Sequence, residues 1–205
     1  MLDNSWFDDY FAAMPVMAIL RGMGPERTVT AATRAWDLGL TAVEIPIQRP
    51  ADIEALRAVV AEAAGRGLIV GAGTVTSVER VALAAGAGAR YTVAPGLDLQ
   101  VAEASQQAGL PHLPGVATAT EIHTATRSGL RWVKAFPAAA LGPIWFKAMA
   151  GPFPDARFVA TGGLSPADVP AFLDAGVRVA AVGSALLDPA QLTALSAVLP
   201  GGRKG

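Results

Sequence analysis

The chain has 205 residues, of which 52% are hydrophobic and only 16% charged, so it can build one large buried core and is too poor in charge to be disordered. A net charge of −1 with no run of Lys or Arg excludes the basic surface that nucleic acid requires, and no stretch of ~18 apolar residues escapes a charge, Gly or Pro, so no membrane span is expected. With no cysteine and only His112 and His123, disulfides, thiolate zinc and a His-rich metal centre drop out together.

The opening MLDNSWFDDY carries acids where a secretory signal has a basic region followed by an apolar run, which predicts a cytoplasmic protein. Residues 2–13 read as a helix ahead of the first strand. Eight short apolar runs then follow: Val16–Leu20, Ala42–Ile45, Leu68–Val70, Tyr91–Val93, Pro111–Leu113, Trp132–Val133, Phe158–Ala160 and Val179–Val182. Continuous rather than alternating apolar runs suit parallel strands buried on both faces, and the Ala-rich spacers suit the helical crossovers that parallel strands need. Pro25 and Pro50 stand at first-turn positions, Ser77 reads as a helix N-cap, and Ser165-Pro166 reads as an N-cap with the first helical residue. Gly39, Gly86, Gly109, Gly129 and Gly176 each follow a helical stretch, where a left-handed terminal residue favours glycine. These repeating units predict an α/β fold, a (β/α)8 barrel with an extra N-terminal helix, as a single domain over residues 1–205. An open doubly wound sheet is the alternative, because periodicity does not show closure.

In a barrel the chemistry belongs at the C-terminal ends of the strands. Lysine is scarce, with Lys134, Lys147 and Lys204 the whole complement. Lys204 lies in a tail expected to fray, and Lys147 sits in a helix whose apolar surface its stem can cover. Lys134 instead ends an apolar run, where burial disfavours the ammonium and leaves the free amine to attack a ketone as a Schiff-base nucleophile. Glu44 is a second charge inside an apolar run. The two can form a structural ion pair, or Glu44 can move protons for chemistry at the amine. Thr161-Gly162-Gly163 and Gly183-Ser184 follow the last two strands, where barrels bind phosphate through backbone N–H groups. Arg21 and Thr74 can hold a carboxylate or stand solvated at the rim. The two histidines read as ordinary polar contacts. Spare apolar surface predicts a homo-oligomer.

Ala18-Ile-Leu-Arg-Gly22, Val43-Glu-Ile-Pro46, Val70-Gly-Ala-Gly-Thr-Val75, Ala94-Pro-Gly96, Pro114-Gly115, Lys134-Ala-Phe-Pro137 and Thr161-Gly-Gly163 stand in order at barrel spacing. Together they resemble the class I 2-keto-3-deoxy-6-phosphogluconate and 6-phosphogalactonate aldolases over nearly the whole chain. The resemblance implies a trimeric (β/α)8 barrel with no metal or cofactor, and reversible cleavage of a phosphorylated keto acid to pyruvate and glyceraldehyde 3-phosphate. It implies Lys134 as the Schiff-base lysine and Glu44 as general acid/base. Thr74, Pro95 and Phe136 would line the pyruvate pocket, Arg21 would lie near the substrate carboxylate, and Gly162, Gly163 and Ser184 would bind phosphate. Glu44-Ile-Pro-Ile-Gln-Arg-Pro50 is similar to the galactonate branch, since Gln48 stands where the gluconate branch carries arginine and Arg49 is one residue away. Thr161, which would meet the C4 hydroxyl, is instead similar to the gluconate branch. The galactonate substrate is the expectation, with the gluconate epimer or both as the alternative. Two readings outside this family are an isomerase or epimerase sharing the phosphate loops, and a non-catalytic sugar-acid binder.

Overall fold

The computed structural model describes residues 1–183 and 189–199. The expected phosphate contact Ser184 and the tail residue Lys204 lie outside them. In chain order the elements are α1 (Trp6–Tyr10), β1 (Val16–Ile19), α2 (Pro25–Asp37), β2 (Val43–Pro46), α3 (Pro50–Gly65), β3 (Val70–Gly73), α4 (Val78–Gly86) and β4 (Tyr91–Val93). They continue with α5 (Leu99–Gln107), β5 (His112–Leu113), β6 (Gly115–Val116), α6 (Ala119–Arg127), β7 (Trp132–Ala135), α7 (Ala138–Ala150), β8 (Arg157–Thr161), α8 (Val169–Asp174), β9 (Val179–Val182) and α9 (Pro189–Val198). Every strand pairing is parallel, in the order β5-β4-β3-β2-β1-β9-β8-β7-β6. The sheet ends, β5 and β6, are halves of one segment broken at Pro114, which has no N–H to give to a ladder. That segment joins both sides: the Lys134 N–H donates to Pro114 O at 2.8 Å and the Gly115 N–H to Gly96 O at 3.0 Å. The result is the expected barrel, with eight strand positions, and not the open sheet.

Alternation along the strands divides the core in two. Val16, Ala18, Val43, Ile45, Val70, Ala72, Val133, Phe158, Ala160 and Val182 pack outward against the helices. Met17, Ile19, Ala42, Tyr91, Val93, Leu113, Trp132, Val159, Val179 and Ala181 fill the barrel with Phe7 and Phe11. Burial of each large apolar side chain is worth roughly 1.5–3 kcal/mol, which is what holds the strands in this register. The α1 segment plugs the N-terminal end of the barrel. Phe7 packs edge-on to Tyr91 with ring centroids 5.7 Å apart, and Asn4 donates to the carbonyls of His112 and Trp132 while accepting from the N–H groups of Arg131 and Trp132.

Four local expectations are corrected. The first helix covers only Trp6–Tyr10 of residues 2–13, because Asn4 is tied to the barrel floor and residues 11–13 already turn toward β1. The third strand is Val70–Gly73 rather than Leu68–Val70: its glycines lie flat while neighbouring strands supply the side chains above them. Gly86 ends inside α4, and the left-handed residue is Gly88 at φ +87°. Ser165-Pro166 form a turn before α8, whose N-cap is Asp168; its carboxylate accepts from the Ser165 N–H and hydroxyl. Pro25, Pro50 and Ser77 stand at helix starts as expected, with Ser77 Oγ accepting from the Arg80 N–H.

His112 packs outside the barrel, 2% exposed, with Nδ1 2.8 Å from Thr92 Oγ1, which also bonds Ser105. Burial pushes its pKa from 6.5 down to about 4, so the folded ring is neutral while the unfolded ring takes a proton below 6.5. Its contribution to stability is therefore full above 6.5 and is lost as pH falls toward 4, by about 3 kcal/mol in all. Denaturant titrations at pH 7 and 4.5 should show this loss, and His112→Asn should flatten it; an unchanged slope in the variant would refute the assignment.

Candidate active site

Glu44 on β2 and Lys134 on β7 both point into the barrel near its C-terminal end, because each follows the inward parity of its strand: Ala42 precedes Glu44, and Trp132 precedes Lys134. Glu44 is 0% exposed and Lys134 3%. Lys134 Nζ lies 3.5 Å from Glu44 Oε1, while Glu44 Oε2 has no hydrogen-bond partner among the described residues. A buried ion pair holds a fold together only when its geometry is tight and the remaining lone pairs are satisfied. This pair meets neither condition, so its arrangement suits proton transfer and nucleophilic attack better than a structural bridge.

The surroundings bring several expected residues together. The Phe136 ring centre is 5.8 Å from Lys134 Nζ, and the same ring lies over Gly162, where a Cβ would stand 2.9 Å from it. Gly162 (φ +102°) and Gly163 (φ +76°) occupy backbone regions that favour glycine, and Gly162 O accepts from the Ala139 N–H at 3.0 Å. The peptide bond Phe136–Pro137 is cis. Thr161 sits at the end of β8, 3% exposed, with no partner for its hydroxyl among the described residues. Gly183 closes β9 against β1, with Ile19 O 3.3 Å from where its Cβ would be.

At the rim, an Arg21 guanidinium N–H donates to Gln48 Oε1. Arg49 is held by Asp52 at 3.0 Å, and its Nη2 reaches back to within 3.1 Å of a Cβ position on Gly22. Thr74 has φ +58°, a left-handed conformation that costs a β-branched residue on the order of 1–3 kcal/mol and marks a backbone bent for a purpose. The backbone of half-buried Pro95 is met so closely by Gly115 that any side chain there would overlap it. His123 is exposed, and no group of three His, Asp or Glu side chains that could hold a metal exists among the described residues.

Sequence reasoning missed Gly73. The Glu44 carboxylate lies directly across its α-carbon. The signal was available: glycine at alternate positions of a strand leaves one face bare, and Glu44 is the only charge on the adjacent strand β2.

A family model described as KDPG and KHG aldolase matches residues 7–197. The chain is 36% identical over 174 residues to the 2-dehydro-3-deoxy-6-phosphogalactonate aldolase of Escherichia coli K12, covering 84% of each chain. It is 33% identical over 177 residues to the KHG/KDPG aldolase of the same organism, covering 86% of this chain and 82% of that one. Among solved structures it superposes with a TM-score of 0.82 on KDPG aldolase from Legionella pneumophila, with pyruvate captured as a covalent carbinolamine intermediate; identity is 28%, over 93% of this chain and 96% of that one.

Proposed function

Because the chain belongs to the KDPG and KHG aldolase family and is therefore a carbon–carbon lyase, we propose that Lys134 and Glu44 cleave 2-dehydro-3-deoxy-6-phosphogalactonate to pyruvate and glyceraldehyde 3-phosphate. The observation that carries this is the buried amine 3.5 Å from a buried carboxylate whose second oxygen has no partner among the described residues. The free amine of Lys134 adds to the C2 ketone, and the carbinolamine loses water to give an iminium. Glu44 takes the C4 hydroxyl proton as the C3–C4 bond breaks, and the electron pair moves into the iminium as an enamine. Protonation at C3 and hydrolysis then release pyruvate. The covalent carbinolamine in the Legionella relative supports the first of these steps.

The remaining residues follow the same reading. Phe136, Pro95 and Thr74 would wall the three-carbon pocket beside the amine. Arg21, held by Gln48, would meet the substrate carboxylate, and the backbone of Gly162, Gly163 and Gly183 would meet the phosphate together with Ser184. The galactonate choice is supported by Gln48, which stands four residues after Glu44 and pairs with Arg21, while Arg49 is tied to Asp52. One observation favours cleavage of the gluconate epimer as well: the buried Thr161 hydroxyl, without a partner among the described residues, offers a hydrogen bond at the stereocentre. A homotrimer is part of the proposal, supported by the exposed apolar residues Val78, Leu83 and Ile144.

Pyruvate release measured on both epimers, with the assembly's mass determined on the same preparation, is the test. The galactonate form should turn over faster, and Thr161→Val should shift the epimer ratio by about 2–10-fold, the worth of one hydrogen bond. A preference for the gluconate form would overturn the substrate assignment while leaving the reaction class intact.

A further inference from the structure

Strand β3 presents two bare positions, Gly71 and Gly73, to the barrel interior between Glu44 on β2 and Tyr91 on β4. Neither glycine has a positive φ, so an alanine at either meets no backbone strain, and only what its methyl would strike matters. At Gly71 the methyl would enter the Tyr91 ring, with Cδ2 at 2.6 Å. At Gly73 the three nearest atoms all belong to Glu44: Oε1 overlaps the methyl position, with Cδ at 2.6 Å and Cγ at 2.7 Å. The register places Glu44 beside Gly71, but strand side chains lean along the strand, and the Tyr91 ring already fills the space above Gly71. The carboxylate therefore comes to rest over Gly73.

We propose that Gly73 is a positioning residue for the reaction: its missing side chain is the slot in which the Glu44 carboxylate lies, and it sets the reach of that carboxylate to Lys134 and the substrate. This rests on Glu44 being the proton carrier. A methyl in the slot would push the carboxylate toward the barrel axis by the better part of a bond length, and misplacement on the order of 1 Å costs a rate about 100-fold.

A double-mutant cycle tests it. Gly73→Ala should lower kcat about 100-fold with KM little changed, a split that a loss of packing alone would not give. Glu44→Ala removes Cγ and the carboxylate from the slot, so in that background Gly73→Ala should cost the residual turnover almost nothing. Equal losses in both backgrounds, or undiminished kcat in Gly73→Ala, would overturn the proposal. Circular dichroism and thermal melting on all four proteins guard against misfolding. If Gly73→Ala fails to fold while the double variant folds, the clash is with Glu44 and the proposal stands; if neither folds while Glu44→Ala does, the methyl strikes something else and it fails. Loss of the reading of Glu44 itself would appear separately, as full turnover in Glu44→Gln.

Discussion

Lys134→Arg should release no pyruvate from either epimer, a loss of at least about 10⁴-fold, and borohydride with pyruvate should leave it unmodified where the native protein gains one pyruvyl adduct on Lys134. The substitution keeps a positive charge beside Glu44, so the buried carboxylate is not stranded. It removes the chemistry because a guanidinium is never deprotonated in a protein and does not condense with a ketone. The larger head must fit a site where the lysine is 3% exposed, and overpacking of this kind costs about 1–3 kcal/mol, which a melting curve separates from the kinetic loss. Both rival readings predict otherwise. An isomerase or epimerase on the same phosphate loops needs no iminium and would keep turning over, and a sugar-acid binder would show no adduct in the native protein either. Residual cleavage above a hundredth of the native rate would place the covalent step elsewhere.

Much of this site is visible in the residue string for one physical reason: a charge inside an apolar run has to be explained. Lys134 after Trp132-Val133 and Glu44 after Val43 stand out because burial of an ionised group is costly, and the structure brings them to 3.5 Å. The strands Tyr91–Val93 and Val179–Val182 are equally plain, as branched and aromatic residues bounded by breakers. What escapes the string is whatever depends on a neighbour. Val70–Gly73 looks like a loop because two of its four residues are glycines, and only the Tyr91 ring and the Glu44 carboxylate arriving from adjacent strands make it a strand. The left-handed position after α4 falls on Gly88 rather than Gly86 because Ala87 still closes the helix through bonds to Leu83 and Ala84. Arg49, apparently displaced from the substrate by one residue, is captured by Asp52 three positions on, a contact between side chains that spacing alone does not order.

Glu44→Gln separates chemistry from architecture at this pair. The amide has the shape of the carboxylate and fits the same slot over Gly73, but it takes no proton, so kcat should fall about 10²–10⁴-fold while KM changes little. Pyruvate trapping on Lys134 should persist at a reduced rate, because the nucleophile survives and only the proton transfers around the carbinolamine are lost. If the pair were instead a structural bridge, the same substitution would leave the lysine as an uncompensated buried charge, and stability would fall by about 3–5 kcal/mol. The two outcomes differ in which measurement moves. A denaturation midpoint within experimental spread of the native one, with a collapsed kcat, is the expected pattern. A lowered midpoint with kcat intact in the folded fraction would assign Glu44 to the fold and remove it from the reaction. The free Oε2 and the 3.5 Å separation favour the first, since a bridge evolved for stability would satisfy both oxygens.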